Sequence, residues 1–164
     1  MQMTEKDMFL KTWEMELPIT IKVLKAYPAD RLDYKPHEKN RTARDLAWIF
    51  VGEQSMIDMA LKGKLEFGPT PPAPKTMDEI IAALDQVTKA NMAKVKAMSE
   101  ENFNSMIEFP VGPGKVAPMR KADIFWLTIM DAVHHRGQMS VYIRLAGGKV
   151  PAMYGPSADE NWGM

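Results

Sequence analysis

KADIFWLTIMDAVHHRGQMSVYIRLA, residues 121–146, is apolar nearly all round: Phe125, Trp126, Leu127, Ile129, Met130, Val133, Val141, Ile143 and Leu145 leave it little polar surface. A helix of that kind is expected to be largely buried, which requires other helices to bury it. Gly147-Gly148 supplies a left-handed stop directly after it. Upstream, Thr76 and Glu79 form a capping box ahead of Ile80, Ile81, Leu84, Val87, Val95 and Met98, whose spacing predicts an amphipathic helix. Thr42 with Asp45 approximates the same start signal for Leu46, Ile49, Phe50, Met56, Ile57, Ala60 and Leu61, a stripe that should end near Gly63. Nearest the N-terminus, Phe9, Trp13, Leu17, Ile21 and Leu24 share one helical face, with a kink or a break expected at Pro18.

The connections are long. Asp30 to Asn40 has no sustained period, FGPTPPAPK (residues 67–75) is too rich in proline for a helix, and PVGPGKVAP (residues 110–118) suggests a turn or short hairpin. The tail KVPAMYGPSADENWGM, residues 149–164, reads as loop whose prolines and aromatics pack back on the helices. The expected architecture is all-α: one domain over residues 1–164, an up-and-down four-helix bundle with long loops and an irregular C-terminal tail.

Composition narrows the function classes. Lys plus Arg and Asp plus Glu both total 21, so no long-range field draws nucleic acid or an acidic membrane surface. The absence of cysteine removes disulfides, thiolate metal sites and a cysteine nucleophile, and suits a reducing compartment. No apolar run reaches the ~20 residues of a membrane span, and the acids in MQMTEKDMFLK argue against a signal peptide. A cytoplasmic protein is expected. The 15 methionines suit an adaptable helical core.

Some polar residues fall on stripes that otherwise face inward. Glu53 lies four residues after Ile49 and three before Met56, so its carboxylate turns toward the interior. On the last helix Asp131, His135, Gln138 and Tyr142 make a polar line. Asp131 and His135 are one turn apart and can converge on one metal ion, with a carboxylate from a facing helix as third ligand. The same spacing is compatible with a plain Asp131–His135 hydrogen bond and with Glu53 neutralised by Arg136. His134 points about 100° away from His135, and His37 reads as a surface residue.

HHRGQMSVYIRLAGGKVPAMYGPSADE (residues 134–160) and YPADRLDYKPHEKNRTARDLAWIFVGE (residues 27–53) resemble the sequence patterns of the DinB-like (DinB/YfiT-type) metalloenzyme family. The resemblance implies a four-helix bundle, commonly homodimeric. It also implies a divalent ion held by one histidine on the second helix and a His-x-x-x-His pair on the last, and, in some relatives, thiol-dependent transfer. His135 matches the last family histidine, Asp131 stands at the first position of the pair, and Ile49 stands where the second-helix histidine falls. Glu53, one turn on, is the substitute, giving a Glu53/Asp131/His135 set with His134, Arg136, Gln138 and Tyr142 around it.

Two outcomes follow from these departures. One is an altered, more oxygen-rich site for one divalent ion among manganese, iron, nickel, zinc and magnesium, serving a transferase or hydrolase that acts on a small molecule with an externally supplied low-molecular-weight thiol or water. The other is a metal-free dimeric module that binds a small apolar ligand.

Overall fold

In the computed structural model, which describes residues 2–161, the helices start on side chains that take up the free amides of the first turn. Thr4 and Asp7 form a capping box at the head of α1 (Glu5–Lys25), which begins one turn before the apolar stripe. Thr42 accepts from the Asp45 amide at the start of α2 (Ala43–Lys62), and Thr76 and Glu79 cap α3 (Met77–Ala97) reciprocally. Ser99 caps the one-turn α4 (Glu100–Phe103). An antiparallel hairpin follows, β1 (Met106–Gly112) with β2 (Lys115–Arg120), and runs straight into α5 (Lys121–Leu145). The proline-rich segment at 110–118 is therefore the hairpin, and α1 is one uninterrupted helix rather than two pieces. Pro18 is tolerated because it lies on the exposed side, where the carbonyl it leaves unbonded can face water.

The four long helices form the bundle with the connectivity of a crossed chain. α1 packs on α3 and α5, and α2 packs on the same two helices. Consecutive α1 and α2 thus stand at opposite corners, and the long 26–42 connection carries the chain across one end of the bundle. Such crossovers are the alternative to short hairpin loops in helix bundles.

Two apolar clusters fill the interior. One gathers Val23, Leu24, Tyr27, Phe50, Leu84, Met139 and Ile143; the other gathers Phe9, Trp13, Ile57, Phe103, Phe125 and Ile129. In the second, Phe9 contacts Trp13, Phe103, Phe125 and Trp126 at centroid distances of 5.3 to 5.9 Å, the range in which aromatic pairs add to simple burial. Between the clusters lies a polar seam: Thr20, Glu53, Gln54, Thr88 and Thr128 are all buried there.

α5 is less buried than its composition suggests. Leu127, Met130, Val133, Val141 and Leu145 are exposed, because a helix with two long-helix neighbours can bury only part of its circumference. Arg136 is the opposite case, a charge with 1 % of its surface exposed. Its guanidinium pairs with the Glu16 carboxylate, donates to the Glu16 carbonyl (3.2 Å), and meets the Tyr154 hydroxyl, which itself donates to Glu16 at 2.7 Å.

The tail is held by the same logic. Asp159 accepts from the Val150 amide and Arg144, and Glu160 accepts from the Ala152 amide and Lys22. These bonds bring Val150, Pro151 and Ala152 into the core. Gly148 permits this docking, since a Cβ there would lie 2.9 Å from Ile143 Cγ2 and 3.1 Å from the Ala26 carbonyl. Trp162, the last aromatic of the tail, lies outside the described residues.

Arg136 fixes the rotation of α5 against α1. Glu16→Gln should therefore lower unfolding free energy by about 3 kcal/mol, the cost of leaving a buried charge uncompensated, whereas Glu16→Leu with Arg136→Met should restore most of it. Equal losses in both variants, measured by denaturant unfolding, would show that the pair has no such anchoring role.

Candidate metal centre

Glu53 projects from the middle of α2 between Phe50, in one apolar cluster, and Ile57, in the other. His135 occupies the corresponding seam on α5, between Ile129 and Met139. The pinned rotation of α5 sends Arg136 toward α1, and His135, about 100° around the axis, toward α2. His135 Nε2 lies 3.8 Å from Glu53 Oε1 and 3.5 Å from Asp131 Oδ2, and one candidate ligand atom of each residue lies within 4.8 Å of the other two.

The imidazole is oriented by its other nitrogen. His135 Nδ1 donates to Gln138 Oε1 at 2.9 Å, and Gln138 Nε2 donates to His134 Nε2 at 2.9 Å. The His135 hydrogen is thereby held on Nδ1, and the Nε2 lone pair points between two carboxylates, the arrangement that second-sphere partners give metal-binding histidines. Phe50 braces the ring edge-on at 6.3 Å.

The distances to Nε2 are too long for direct hydrogen bonds. Two ligands each ~2.1 Å from an ion and at a tetrahedral angle sit roughly 3.4 Å apart, close to what is observed. Glu53 Oε1 is buried with no hydrogen-bond partner, so the site contains an acceptor aimed at nothing within the chain. These residues fit a divalent cation with two oxygen donors and one nitrogen.

Glu53 is 6 % exposed. Its pKa is pushed up to about 9, first by burial and then by the neighbouring Asp131 charge, with Arg136 acting weakly the other way. Arg136 does not neutralise Glu53, because its guanidinium is committed to Glu16. Asp131 is half exposed at the mouth of the site. His134 is exposed and reaches the triad only through Gln138. Tyr142 lies further along α5, accepting from Asn40 Nδ2 (3.1 Å) and donating to the Arg41 carbonyl (3.0 Å). His37 stays on the surface, its Nδ1 accepting from the Lys39 amide.

Two cavities meet at Glu53. An interior one, about 30 Å³, lies in the polar seam beside Gln54, Thr88 and Thr128. An outer one, about 460 Å³, is walled by Trp48, Ile49 and the Thr70–Ala73 segment. The Glu16–Arg136 pair was not foreseen from sequence, although Glu16 and Thr20 follow Trp13 on the same face of α1 at helical spacing.

A family model described as the DinB family matches residues 1–164. The chain belongs to the DinB family. It is 31% identical over 162 residues to the uncharacterized protein YrdA of Bacillus subtilis (strain 168), which covers 94% of this chain and 90% of YrdA. Among solved structures, a DinB-like protein from Bacillus cereus ATCC 10987 superposes with a TM-score of 0.76 at 26% identity, over 89% of this chain and 95% of that one. YfiT from Bacillus subtilis, described as a probable metal-dependent hydrolase with an unusual four-helix bundle topology, gives a TM-score of 0.66 at 14% identity over 87% of each chain. At that identity YfiT supports the fold alone. In this DinB chain, the three positions that the sequence resemblance assigns to histidines hold Ile49, Asp131 and His135.

The raised Glu53 pKa has a pH signature in the metal-free chain. The folded state keeps the proton from the ordinary value of 4.5 up to about 9, while the unfolded state has released it. The stabilising contribution is therefore complete below about 4.5 and is lost as pH rises toward 9, at up to ~1.4 kcal/mol per pH unit. Glu53→Gln should flatten this slope in chelator-treated protein followed by denaturant unfolding. An unchanged slope would mean that Glu53 ionises normally.

Proposed function

We propose that this chain is a divalent-metal-dependent enzyme of hydrolase or transferase type acting on a small molecule in the cytoplasm, with Glu53, Asp131 and His135 as its metal ligands. The observation that carries this reading is the convergence of three ligand atoms on one point, with Glu53 Oε1 unpartnered and the His135 lone pair turned inward by Gln138. Membership of the DinB family, whose resemblance implies a bound divalent ion, supports it. The bound ion would polarise a substrate oxygen or activate an external nucleophile, either water or a low-molecular-weight thiol.

The chain's own groups do the rest. Asp131, half exposed, and His135, largely buried, face Glu53 from one helix, and Glu53 itself borders the outer cavity. Glu53 releases its proton when a cation arrives, so affinity should rise with pH. The donor set of two oxygens and one nitrogen favours manganese, iron or magnesium over softer partners. Among the described residues no helix is long and apolar enough to cross a membrane, and the absence of cysteine requires any thiol to come from outside.

A second reading has its own support: Ile49 fills the position of a family histidine, and Glu53 holds a proton in the metal-free chain. In that reading the triad is a relict within a metal-free module that binds a small apolar ligand. Under either reading the partner across α5 is a second copy. Leu127, Met130, Val141 and Leu145 form an exposed apolar stripe, and Gly137 in the same stretch has no neighbour that would obstruct a side chain, which leaves room for a close helix approach.

Protein purified without chelator should hold about one equivalent of metal per chain, the ratio of a single three-ligand site. Glu53→Gln and His135→Gln should each lose it, and Ile49→His should tighten retention. Absence of metal together with no thermal shift on adding manganese, iron, nickel or zinc counts against the enzyme reading. Met130→Glu should shift sedimentation from dimer to monomer; a wild-type monomer at micromolar concentration rules out the pairing.

A further inference from the structure

The outer cavity, about 460 Å³, lies in the size range of small-molecule sites, and Glu53 belongs to its wall. Trp48 forms one side and is held there: its indole Nε1 donates to the Pro71 carbonyl at 2.8 Å. That bond ties the proline-rich segment over the cavity and leaves the indole face and the prolines as an apolar surface. Gly52, also on the wall, is a glycine inside a helix, where it is disfavoured against alanine. A Cβ built there meets no atom within 4 Å, so nothing in the chain's own packing calls for its absence. The space it leaves open is cavity space beside Glu53.

At the far end stands Arg41. Arg44, Arg120, Arg136 and Arg144 each pair with a carboxylate; Arg31 and Arg41 make no ion pair among the described residues, and of these two only Arg41 lines the cavity. Asp45, the acid on the same wall, accepts from the Thr42 hydroxyl at 2.6 Å and makes no ion pair with Arg41. The main chain at Arg41 is fixed, since its carbonyl accepts from Tyr142, which is in turn held by Asn40. A guanidinium offered from a fixed backbone without an acid is suited to bidentate capture of a carboxylate or phosphate. Arg41 precedes the start of α2 at Ala43, and Glu53 lies ten residues further along the helix, about 15 Å at ~1.5 Å of rise per residue, so a single small anion cannot engage both.

We infer that this cavity binds an elongated small molecule whose anionic end is held by Arg41, whose apolar middle lies on Trp48 and the proline segment, and whose other end reaches Glu53. The inference rests on the reading of Glu53, Asp131 and His135 as the reactive centre, and it gives that centre a substrate class. Arg41 is a positioning residue for binding, remote from the triad.

The test uses the full chain treated with chelator, so that binding in the cavity is read apart from metal retention. Hippurate, its neutral amide and phenyl phosphate are titrated while the Trp48 indole N–H resonance is followed by NMR. Hippurate or phenyl phosphate should shift that resonance, and the tighter of the two identifies the anion. Arg41→Met should weaken binding about tenfold or more, the loss expected when a charge-assisted hydrogen-bonding partner is removed, with partial recovery in Arg41→Lys. Gly52→Phe should block the shift by filling the cavity. Arg41→Met should keep the metal content of the wild type, whatever that content is, which separates this inference from the metal reading. Equal binding of hippurate and its amide, or unchanged affinity in Arg41→Met, overturns the inference.

Discussion

A carboxylate that is 6 % exposed, with one oxygen lacking any hydrogen-bond donor, governs how the centre of this bundle must be understood. Burying an ionised carboxylate without a partner is costly enough that the group holds its proton instead, and the upward shift of Glu53 to about 9 expresses that cost. The bundle accommodates it by dividing its interior. Apolar clusters occupy both ends, and the polar seam between them collects Glu53, Gln54, Thr88 and Thr128. Without a ligand the seam is a weak point, since Gln54 Oε1 and Thr88 Oγ1 are also unpartnered. A cation between Glu53, Asp131 and His135 would convert the most expensive of these groups into a ligand.

The second constraint is rotational. His135 and Arg136 are adjacent in sequence yet point to different helices, and the Arg136 pairing with Glu16 and Tyr154 sets which one faces the seam. Gln138 then fixes the imidazole about its own axis. An ion pair between α1 and α5, a tyrosine from the tail and an amide on α5 thus cooperate to place one nitrogen lone pair.

Much of this was legible in the sequence. Helix starts at Thr42 and Thr76, the end at Gly63 and the stop at Gly147 follow from capping chemistry, which is local and carries its own signal. Helical spacing turned Glu53 inward and put Asp131 and His135 one turn apart on a single face, while their grouping across two helices was what the family resemblance implied. Three features did not follow. The placement of α1 and α2 at opposite corners depends on how a loop crosses the bundle, which no local pattern encodes. The exposure of Leu127, Met130 and Val141 depends on how many neighbours α5 has. The choice of Glu16 rather than Glu53 as the partner of Arg136 depends on the rotation of a helix between two acids, and is decided only by packing.

The family relationship fixes the scaffold, while the candidate ligands depart from the pattern the resemblance implies: isoleucine and aspartate stand where it places histidines, and a glutamate one turn away faces the same point. If these residues still form a cation site, the ion itself should be visible by anomalous scattering. Crystals grown with manganese and measured on both sides of its absorption edge test it most directly. One anomalous peak per chain is expected, ~2.0–2.3 Å from Glu53, Asp131 and His135 Nε2. A map without a peak there, with Glu53 hydrogen-bonded to water from the interior cavity, would contradict it.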